Sequence, residues 1–260
     1  PFTARELRRL PASGWTLLVH GVDHALPQAS HLLREFAFLP FARIDDVMVS
    51  YATPGGGVGP HFDSYDVFLV QGQGERRWQV SAQRDLSLVP DAPLKILHAF
   101  KPSRDWTASP GDVLYLPPGW CHDGVAVTEC ITYSVGFRAP GNHELASRFL
   151  DFLQDRLELD GRYADPALAP TRHPGRIPPE LVRHSARTIA RVQWSAGDVA
   201  EFTGRYLSEP KPHVVFRRPK RVLGPAAFAQ RAQARGVALA PASRLLYYGA
   251  LLFMNGESAK

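Results

Sequence analysis

The chain of 260 residues is long enough for one large domain, or for a medium-sized domain accompanied by smaller ones. Hydrophobic residues make up 45% of it and charged residues 21%, the balance of a soluble globular protein. No apolar run approaches the roughly 18–20 residues of a membrane span, which excludes a membrane-spanning helix.

The net charge of +5 is unevenly distributed along the chain. Residues 1–140 carry 12 basic and 14 acidic residues, and residues 141–260 carry 18 and 11, so the second half favours contact with nucleic acid or a nucleic-acid-rich assembly.

The first half is predicted to be rich in short β-strands. Six segments combine β-branched or aromatic residues with Gly, Pro or Asp at their ends, and one segment, 30–39, has helical apolar spacing. The predicted strands lie within 15–22, 45–52, 66–71, 76–82, 112–118 and 129–137. Many short strands separated by Gly and Pro turns favour a sandwich or barrel, of which a jelly roll is one form.

The pattern changes to helical near residue 140. Apolar residues recur at helical spacing in 143–159, 180–194 and 195–208, and a Pro-rich connector occupies 165–180. A basic stretch at 209–221 is predicted to be an exposed linker, followed by a helix at 224–236 and strands within 243–258. We therefore predict three domains, at 1–140, 141–208 and 209–260.

The two cysteines, Cys121 and Cys130, are too few for a disulfide framework. A chain with so few cysteines is expected in an intracellular, reducing compartment, the cytoplasm, and no secretory signal is visible at the start of the given sequence. The sequence begins with Pro rather than Met, and we expect that the natural N-terminus is missing. Both cysteines are expected to be small core residues.

A candidate metal site begins with His61 and Asp63 in the stretch "GGGVGPHFDSYDVFLVQGQGERRW", residues 55–78. Residues two apart on a strand share a face, so the imidazole and the carboxylate are expected to lie side by side. Two histidines and one carboxylate on one face form a mononuclear iron site with open positions. His122, which follows the turn in "GDVLYLPPGWCHDG", residues 111–124, is the expected third ligand.

A zinc site with Cys121 as an additional ligand is the competing interpretation. Adjacent strand residues point to opposite faces, which disfavours one ion shared by Cys121 and His122.

An iron oxygenase that uses 2-oxoglutarate also needs a cation for the distal carboxylate of that co-substrate, and an Arg fork suits it. Arg76 and Arg77 on the next strand are the candidates, and only one of them can face inward. Trp78 shares the face of Arg76, which favours Arg76, but the sequence alone leaves the opposite choice open.

Three stretches carry a family resemblance: residues 55–78, residues 111–124, and "YSVGFRAP" at 133–140. They resemble the bacterial ribosomal oxygenases of the JmjC-like, cupin-type 2-oxoglutarate oxygenase superfamily, most closely those that hydroxylate an arginine of large-subunit ribosomal protein L-sixteen at its 3-position. The resemblance is strong from residue 15 to 140 and holds in pattern only beyond. It implies Fe(II), with 2-oxoglutarate and O2 as co-substrates.

The resemblance also implies roles for individual residues. His61, Asp63 and His122 would be the iron ligands, and Arg76 would bind the distal carboxylate of 2-oxoglutarate. The other implied residues are Thr132 and Ser134 in the co-substrate pocket, and Asp46, Met48 and Tyr65 around the target arginine.

The implied fold is α+β: a double-stranded β-helix (jelly roll), then a helical dimerisation region, then a winged-helix domain. By this resemblance the sequence begins inside the first domain of the family and ends inside the winged-helix domain. A homodimer is expected, with Phe149, Leu153 and Leu157 as an apolar seam, and ribosome or RNA contact is expected through the basic second half.

Four other functions are compatible with the sequence. One is a ribosomal protein histidine hydroxylase, and a lysine demethylase is a less favoured enzyme of the same type. Another is a metal-binding cupin module without oxygenase activity. The last is a nucleic-acid-binding protein whose basic second half carries the function.

Overall fold

The computed structural model describes residues 3–212, 214–216, 219 and 222–259. Within these ranges the chain forms two compact units. The first comprises residues 1–139 and 210–246, and the second comprises 140–209 and 247–260. No helix in the described part of the chain is long and apolar enough to cross a membrane.

The first unit is built mainly from nine β-strands. They are β1 (Thr16–Val19), β2 (Ile44–Ala52), β3 (His61–Phe62), β4 (Val67–Gln73), β5 (Arg76–Ser81), β6 (Arg104–Ala108), β7 (Val113–Leu116), β8 (Cys121–Ala126) and β9 (Cys130–Phe137). Their antiparallel pairing gives a five-stranded sheet in the order β1-β2-β9-β4-β7 and a four-stranded sheet in the order β3-β8-β5-β6. The strand order departs from the chain order in both sheets, as in a jelly roll.

The main core of this unit lies between the two sheets. The five-stranded sheet contributes Val67, Leu69 and Leu116, and the four-stranded sheet contributes Trp78 and Val80. Alternation along each strand turns these residues inward and their neighbours outward. The predicted jelly roll is confirmed.

Short helical elements accompany the strands of the first unit. They are α1 (Ala4–Leu7), a 3-10 turn at Val22–His24, α2 (Pro27–Glu35) and, in the returning segment, α6 (Pro225–Arg235). Helix α2 packs on the outer face of the five-stranded sheet through Ala29, against a cluster that includes Ile44, Val47 and Val135. This outer cluster covers one face of the sheet and leaves its other face to the cavity described below.

The second unit contains α3 (Asn142–Gln154), α4 (Pro179–Ile189) and α5 (Ala196–Ser208). Ser195 and Asp198 form a reciprocal capping box that begins α5. A three-stranded sheet follows, in the order β10 (Leu245–Tyr248), β11 (Leu251–Met254) and β12 (Glu257–Ala259). Helix α5 packs against β11, where the Phe253 ring is 1% exposed.

The six predicted strands and the helices in both halves are present, with ends shifted by a few residues. Strand β6 was not predicted, because "RDWTA" has a single large apolar residue and no clear alternation. The predicted linker 209–221 includes residues 213, 217, 218, 220 and 221, which lie outside the described ranges. Residues 209–260, predicted as one domain, are shared between the two units.

Two of the three residues of the predicted dimer seam make contacts within their own unit. Leu153 is only 6% exposed, and the Phe149 ring packs within its own unit against Trp194 and Phe202. Helical spacing finds the apolar face of α3, but it cannot tell an internal contact from an external one. Leu157, 44% exposed, remains on the surface.

Replacing Gly204 with Ala should destabilise the second unit. A Cβ atom at Gly204 would fall inside the van der Waals radius of the buried Phe253 ring. Overpacking of this kind costs about 1–3 kcal/mol, which exceeds the usual gain from Gly to Ala within a helix. Thermal denaturation measures the effect, and Gly175→Ala is the matched control because a Cβ there meets nothing within 4 Å. Equal melting temperatures for the two variants would contradict this packing.

Candidate functional site

The two predicted histidine ligands face each other across one strand pair. His61 on β3 is the direct antiparallel partner of His122 on β8. Directly opposed residues of an antiparallel pair point to the same face of the sheet, so both rings enter the space between the sheets. Their ring centroids are 4.2 Å apart.

Asp63 joins the two histidines from just beyond the end of β3. Its Oδ2 lies 3.8 Å from His122 Nε2, and its backbone carbonyl accepts a 2.8 Å hydrogen bond from the amide of Gly119. That bond ties the Pro-Pro-Gly turn before β8 to the end of β3. One possible ligand atom from each of His61, Asp63 and His122 lies within 4.8 Å of the others, and no second cluster of three such residues occurs in the described ranges.

Cys121, the competing zinc ligand, does not belong to this cluster. Its side chain is fully buried, and burial raises the pKa of its thiol. The alternation of β8 therefore separates Cys121 from His122, as the strand geometry predicts.

Both histidines are oriented by backbone carbonyls. His61 Nδ1 donates to the carbonyl of Gly59 at 2.8 Å, and His122 Nδ1 donates to the carbonyl of Trp120 at 3.1 Å. A carbonyl can only accept, so each Nδ1 carries a proton, and in the neutral ring the lone pair is then on Nε2. This is the arrangement in which imidazole binds a metal ion.

His122 is also held in its neutral form. Burial lowers its pKa to about 4, and the neighbouring His61 adds to the effect. A metal ion binds the neutral imidazole, so His122 needs no deprotonation at neutral pH.

Arg76 is a buried cation whose nearest acidic influence is the longer-range attraction of Asp123. Its side chain is 3% exposed, and it forms no salt bridge with a carboxylate among the described residues. Its Nη2 donates to Ser50 Oγ at 3.1 Å and contacts Cys130 Sγ at 3.5 Å, while its Nε has no hydrogen-bond partner. A buried guanidinium with an unsatisfied donor fits an anion that enters the cavity. Arg77, by contrast, is exposed and pairs with Asp105.

The predicted co-substrate residues Thr132 and Ser134 face the same cavity as Arg76. In the register of β2 and β9 they are the cross-strand partners of Ser50 and Met48. The Thr132 hydroxyl donates to the buried Gln71 Oε1 at 2.9 Å, so its proton is already used. Thr132 can therefore meet an entering ligand only as an acceptor or by packing.

The predicted substrate residues belong to the same cavity. Asp46, Met48 and Tyr65 all line it, and the Asp46 carboxylate is buried. Desolvation of its hydroxyl raises the pKa of Tyr65, and the adjacent Asp63 adds to the shift. An acid, a thioether and an aromatic ring together suit a cationic side chain with an alkyl stem.

A single cavity of about 310 Å³ thus connects all the predicted site residues. Two lining residues with charged side chains, Asp45 and Lys211, were not predicted. Lys211 is distant in sequence, and no residue pattern links it to the strands of the jelly roll.

The comparisons with known proteins agree with this geometry. Residues 31–145 match the model of the JmjC domain. The chain is 37% identical over 222 residues to the "Ribosomal protein uL16 3-hydroxylase" of Escherichia coli, covering 85% of this chain and 59% of that protein. The crystal structure of E. coli YcfD superposes with a TM-score of 0.80 at 33% identity, over all of this chain and 70% of that one. This chain belongs to the JmjC ribosomal oxygenase family.

Another structure of that ribosomal oxygenase is described as a complex with cobalt and 2-oxoglutarate. It superposes on this chain with a TM-score of 0.77 at 32% identity, over all of this chain and 69% of that one. The present chain spans 59% of the length of the curated E. coli relative.

Proposed function

We propose that this chain is the catalytic part of an Fe(II)- and 2-oxoglutarate-dependent oxygenase that hydroxylates an arginine of large-subunit ribosomal protein L-sixteen at its 3-position. The observation that carries the proposal is the presence, in one cavity, of the His61, Asp63 and His122 cluster and the buried, unpaired Arg76. The printed name of the E. coli relative and the cobalt and 2-oxoglutarate complex of YcfD support it.

In this proposal His61, Asp63 and His122 hold the metal ion, and Arg76 binds the distal carboxylate of 2-oxoglutarate. Bound Fe(II) would supply the redox chemistry that couples oxidative decarboxylation of 2-oxoglutarate to hydroxylation. One atom of O2 enters the substrate C–H bond and the other enters succinate, with release of CO2.

The protein's own contribution is orientation and exclusion of water. The backbone carbonyls of Gly59 and Trp120 fix the two imidazoles, so the ligand atoms need no rearrangement. Ser50 accepts a hydrogen bond from Nη2 of Arg76 and so orients the guanidinium, while Nε remains available to the co-substrate. Apolar side chains, among them Val67, Leu69 and Trp78, form part of the cavity wall and limit the access of water on that side.

The acidic end of the cavity favours arginine over histidine as the target. Asp46 is buried and lines the cavity with Met48 and Tyr65, so a cationic side chain that displaces Lys211 from Asp46 gains an ion pair there. A neutral imidazole would leave the carboxylate without that gain. The histidine hydroxylase alternative is therefore less well supported, and the metal-binding module without oxygenase activity does not explain the unpaired Arg76.

Mass spectrometry of the substrate tests the proposal. Incubation of L-sixteen, or of a peptide around its arginine, with this protein, Fe(II), 2-oxoglutarate and O2 should add 16 Da (one oxygen) to the arginine. His61→Ala should abolish the addition. Succinate formation without a mass shift would retain the oxygenase and reject the substrate. Absence of both from a folded, metal-loaded protein would reject the proposed function.

The proposal extends to a homodimer, to a winged-helix domain and to contact with ribosomal RNA in the cytoplasm, as the family resemblance implies. The homodimer is supported by exposed apolar side chains of the helical region, including Leu150 at 63% and Ile189 at 69%. Contact with RNA is supported by the basic balance of residues 141–260, 18 basic against 11 acidic. Size-exclusion chromatography with light scattering tests the dimer.

A further inference from the structure

Strand β2 begins with an irregularity that turns two carboxylates toward the cavity. Its pairing with β9 shifts register between Ile44 and Val47. Both of those residues pack in the outer cluster beneath α2, although regular alternation would place residues three apart on opposite faces. A bulge re-aims the side chains within it. Asp45 and Asp46 both line the cavity as a result.

The chain supplies its own cation to this acid pair. Lys211 Nζ lies 2.7 Å from Asp45 Oδ2 and 3.3 Å from Asp46 Oδ2. Lys211 belongs to the segment 210–246, which is part of the same compact unit as β2, and its side chain also lines the cavity. The three side chains differ in exposure, with 29% for Lys211, 27% for Asp45 and 8% for Asp46.

We infer that Lys211 occupies the position of the cationic substrate side chain at the Asp45–Asp46 pair, and that an entering arginine displaces it. Lys211 is then a specificity-determining residue, because only a cation can replace it without leaving a buried carboxylate unpaired. This inference deepens the proposed function and rests on it for the identity of the arginine.

The contacts favour a displaceable lysine over a fixed structural bridge. The ammonium is a point charge that meets two carboxylates, whereas an arginine fork can make paired hydrogen bonds to them. Lys211 is more than a quarter exposed, so it can move into water when it leaves the pair. Asp46 is nearly buried and cannot move into water, so its carboxylate remains in the cavity and can bind the next cation.

A neighbouring cation strengthens this argument. Asp45 also pairs with Arg138, whose Nε lies 3.3 Å from Asp45 Oδ1. Among the described residues Lys211 makes the salt bridge to Asp46, while Arg244, which donates to the backbone carbonyls of Ile44 and Asp45, attracts that carboxylate at longer range. Departure of Lys211 therefore leaves Asp45 with Arg138 and releases Asp46 for the substrate.

The kinetic test uses the loaded enzyme with the L-sixteen peptide as substrate. Lys211→Met keeps much of the side-chain length and removes the charge, so it should lower the KM for the peptide about 5-fold and leave kcat unchanged. Lys211→Arg should keep the KM at or above its original value. The control Lys101→Met removes the same charge from an exposed loop position and should leave the KM unchanged. A KM for Lys211→Met that is unchanged or raised overturns the inference.

A second test does not need turnover. Amine acetylation of Lys211 is followed by mass spectrometry in the protein loaded with Co(II) and 2-oxoglutarate. Addition of the arginine peptide should accelerate the labelling of Lys211 several-fold, and the same peptide with neutral citrulline should not. An acetylation rate of Lys211 that does not change when the arginine peptide is added overturns the inference, even if the peptide is hydroxylated. Release of Lys211 without hydroxylation rejects the proposed function and retains the inference.

Discussion

Asp63→Ala should lose metal binding and turnover together. Asp63 is the carboxylate of the three-residue cluster, and its Oδ2 lies 3.8 Å from His122 Nε2. Two neutral imidazoles alone provide neither the charge nor the third ligand of the site. Removal of residues that merely orient ligands already costs about 10–100-fold in metal affinity, so we expect a loss of at least roughly 100-fold here.

Two measurements check this result. Succinate formation should fall to background, and Co(II) should no longer raise the melting temperature of the variant. For the parent protein, metal at about 100 times its Kd should contribute roughly 2.7 kcal/mol of stability. Asp160→Ala, at an exposed position, is the matched control and should behave as the parent. Succinate formation at the parent rate in a folded Asp63→Ala protein would contradict the assignment of Asp63 as a metal ligand.

Arg76→Met should change co-substrate binding and fold stability in opposite directions. Loss of a buried charged partner costs about 2–5 kcal/mol, so the KM for 2-oxoglutarate should rise by roughly 30-fold or more. Without co-substrate, however, Arg76 is a buried charge that no described carboxylate pairs with, and its Nε lacks a partner. Methionine removes that penalty, so the ligand-free protein should become more stable by about 1 kcal/mol or more.

The opposite signs separate a ligand-binding arginine from a structural one. A structural arginine would lower stability when replaced and would leave the KM for 2-oxoglutarate close to its original value. Denaturant unfolding without ligand gives the first quantity, and steady-state kinetics gives the second. The neighbouring Arg77→Met is the control: Arg77 is exposed and paired with Asp105, so its replacement should change stability by less than about 1 kcal/mol.

The parts of the site that depend on strand periodicity were predictable from the sequence. His61 and Asp63 are two residues apart, and Arg76 shares its face with Trp78 while Arg77 points outward. Alternation along a strand is a local property, so parity alone makes the buried position of Arg76 accessible to sequence reasoning. The turn before His122 was also predictable from local sequence, because Pro and Gly mark the end of β7.

The parts that depend on irregular or long-range structure were not predictable. The bulge at the start of β2 breaks parity, because regular alternation would place Asp45 on the face opposite Asp46. The contact of Lys211 with Asp45 spans 166 residues, and the segment around Lys211 has no periodic pattern to place it. Leu153 was assigned to a dimer seam because an amphipathic helix shows which face is apolar but not what covers that face.

The carbonyls that hold the two imidazoles have a consequence for mutational robustness. Each histidine is oriented by the backbone of the residue two positions before it, Gly59 for His61 and Trp120 for His122. Every amino acid has a carbonyl, so no side-chain substitution at residue 120 can delete this support directly, whereas residue 59 must remain glycine because its φ is 94°. Mutations can reach it only by bending the backbone. The orientation of both imidazoles is therefore encoded by the path of the chain, and it can survive extensive divergence of the surrounding side chains.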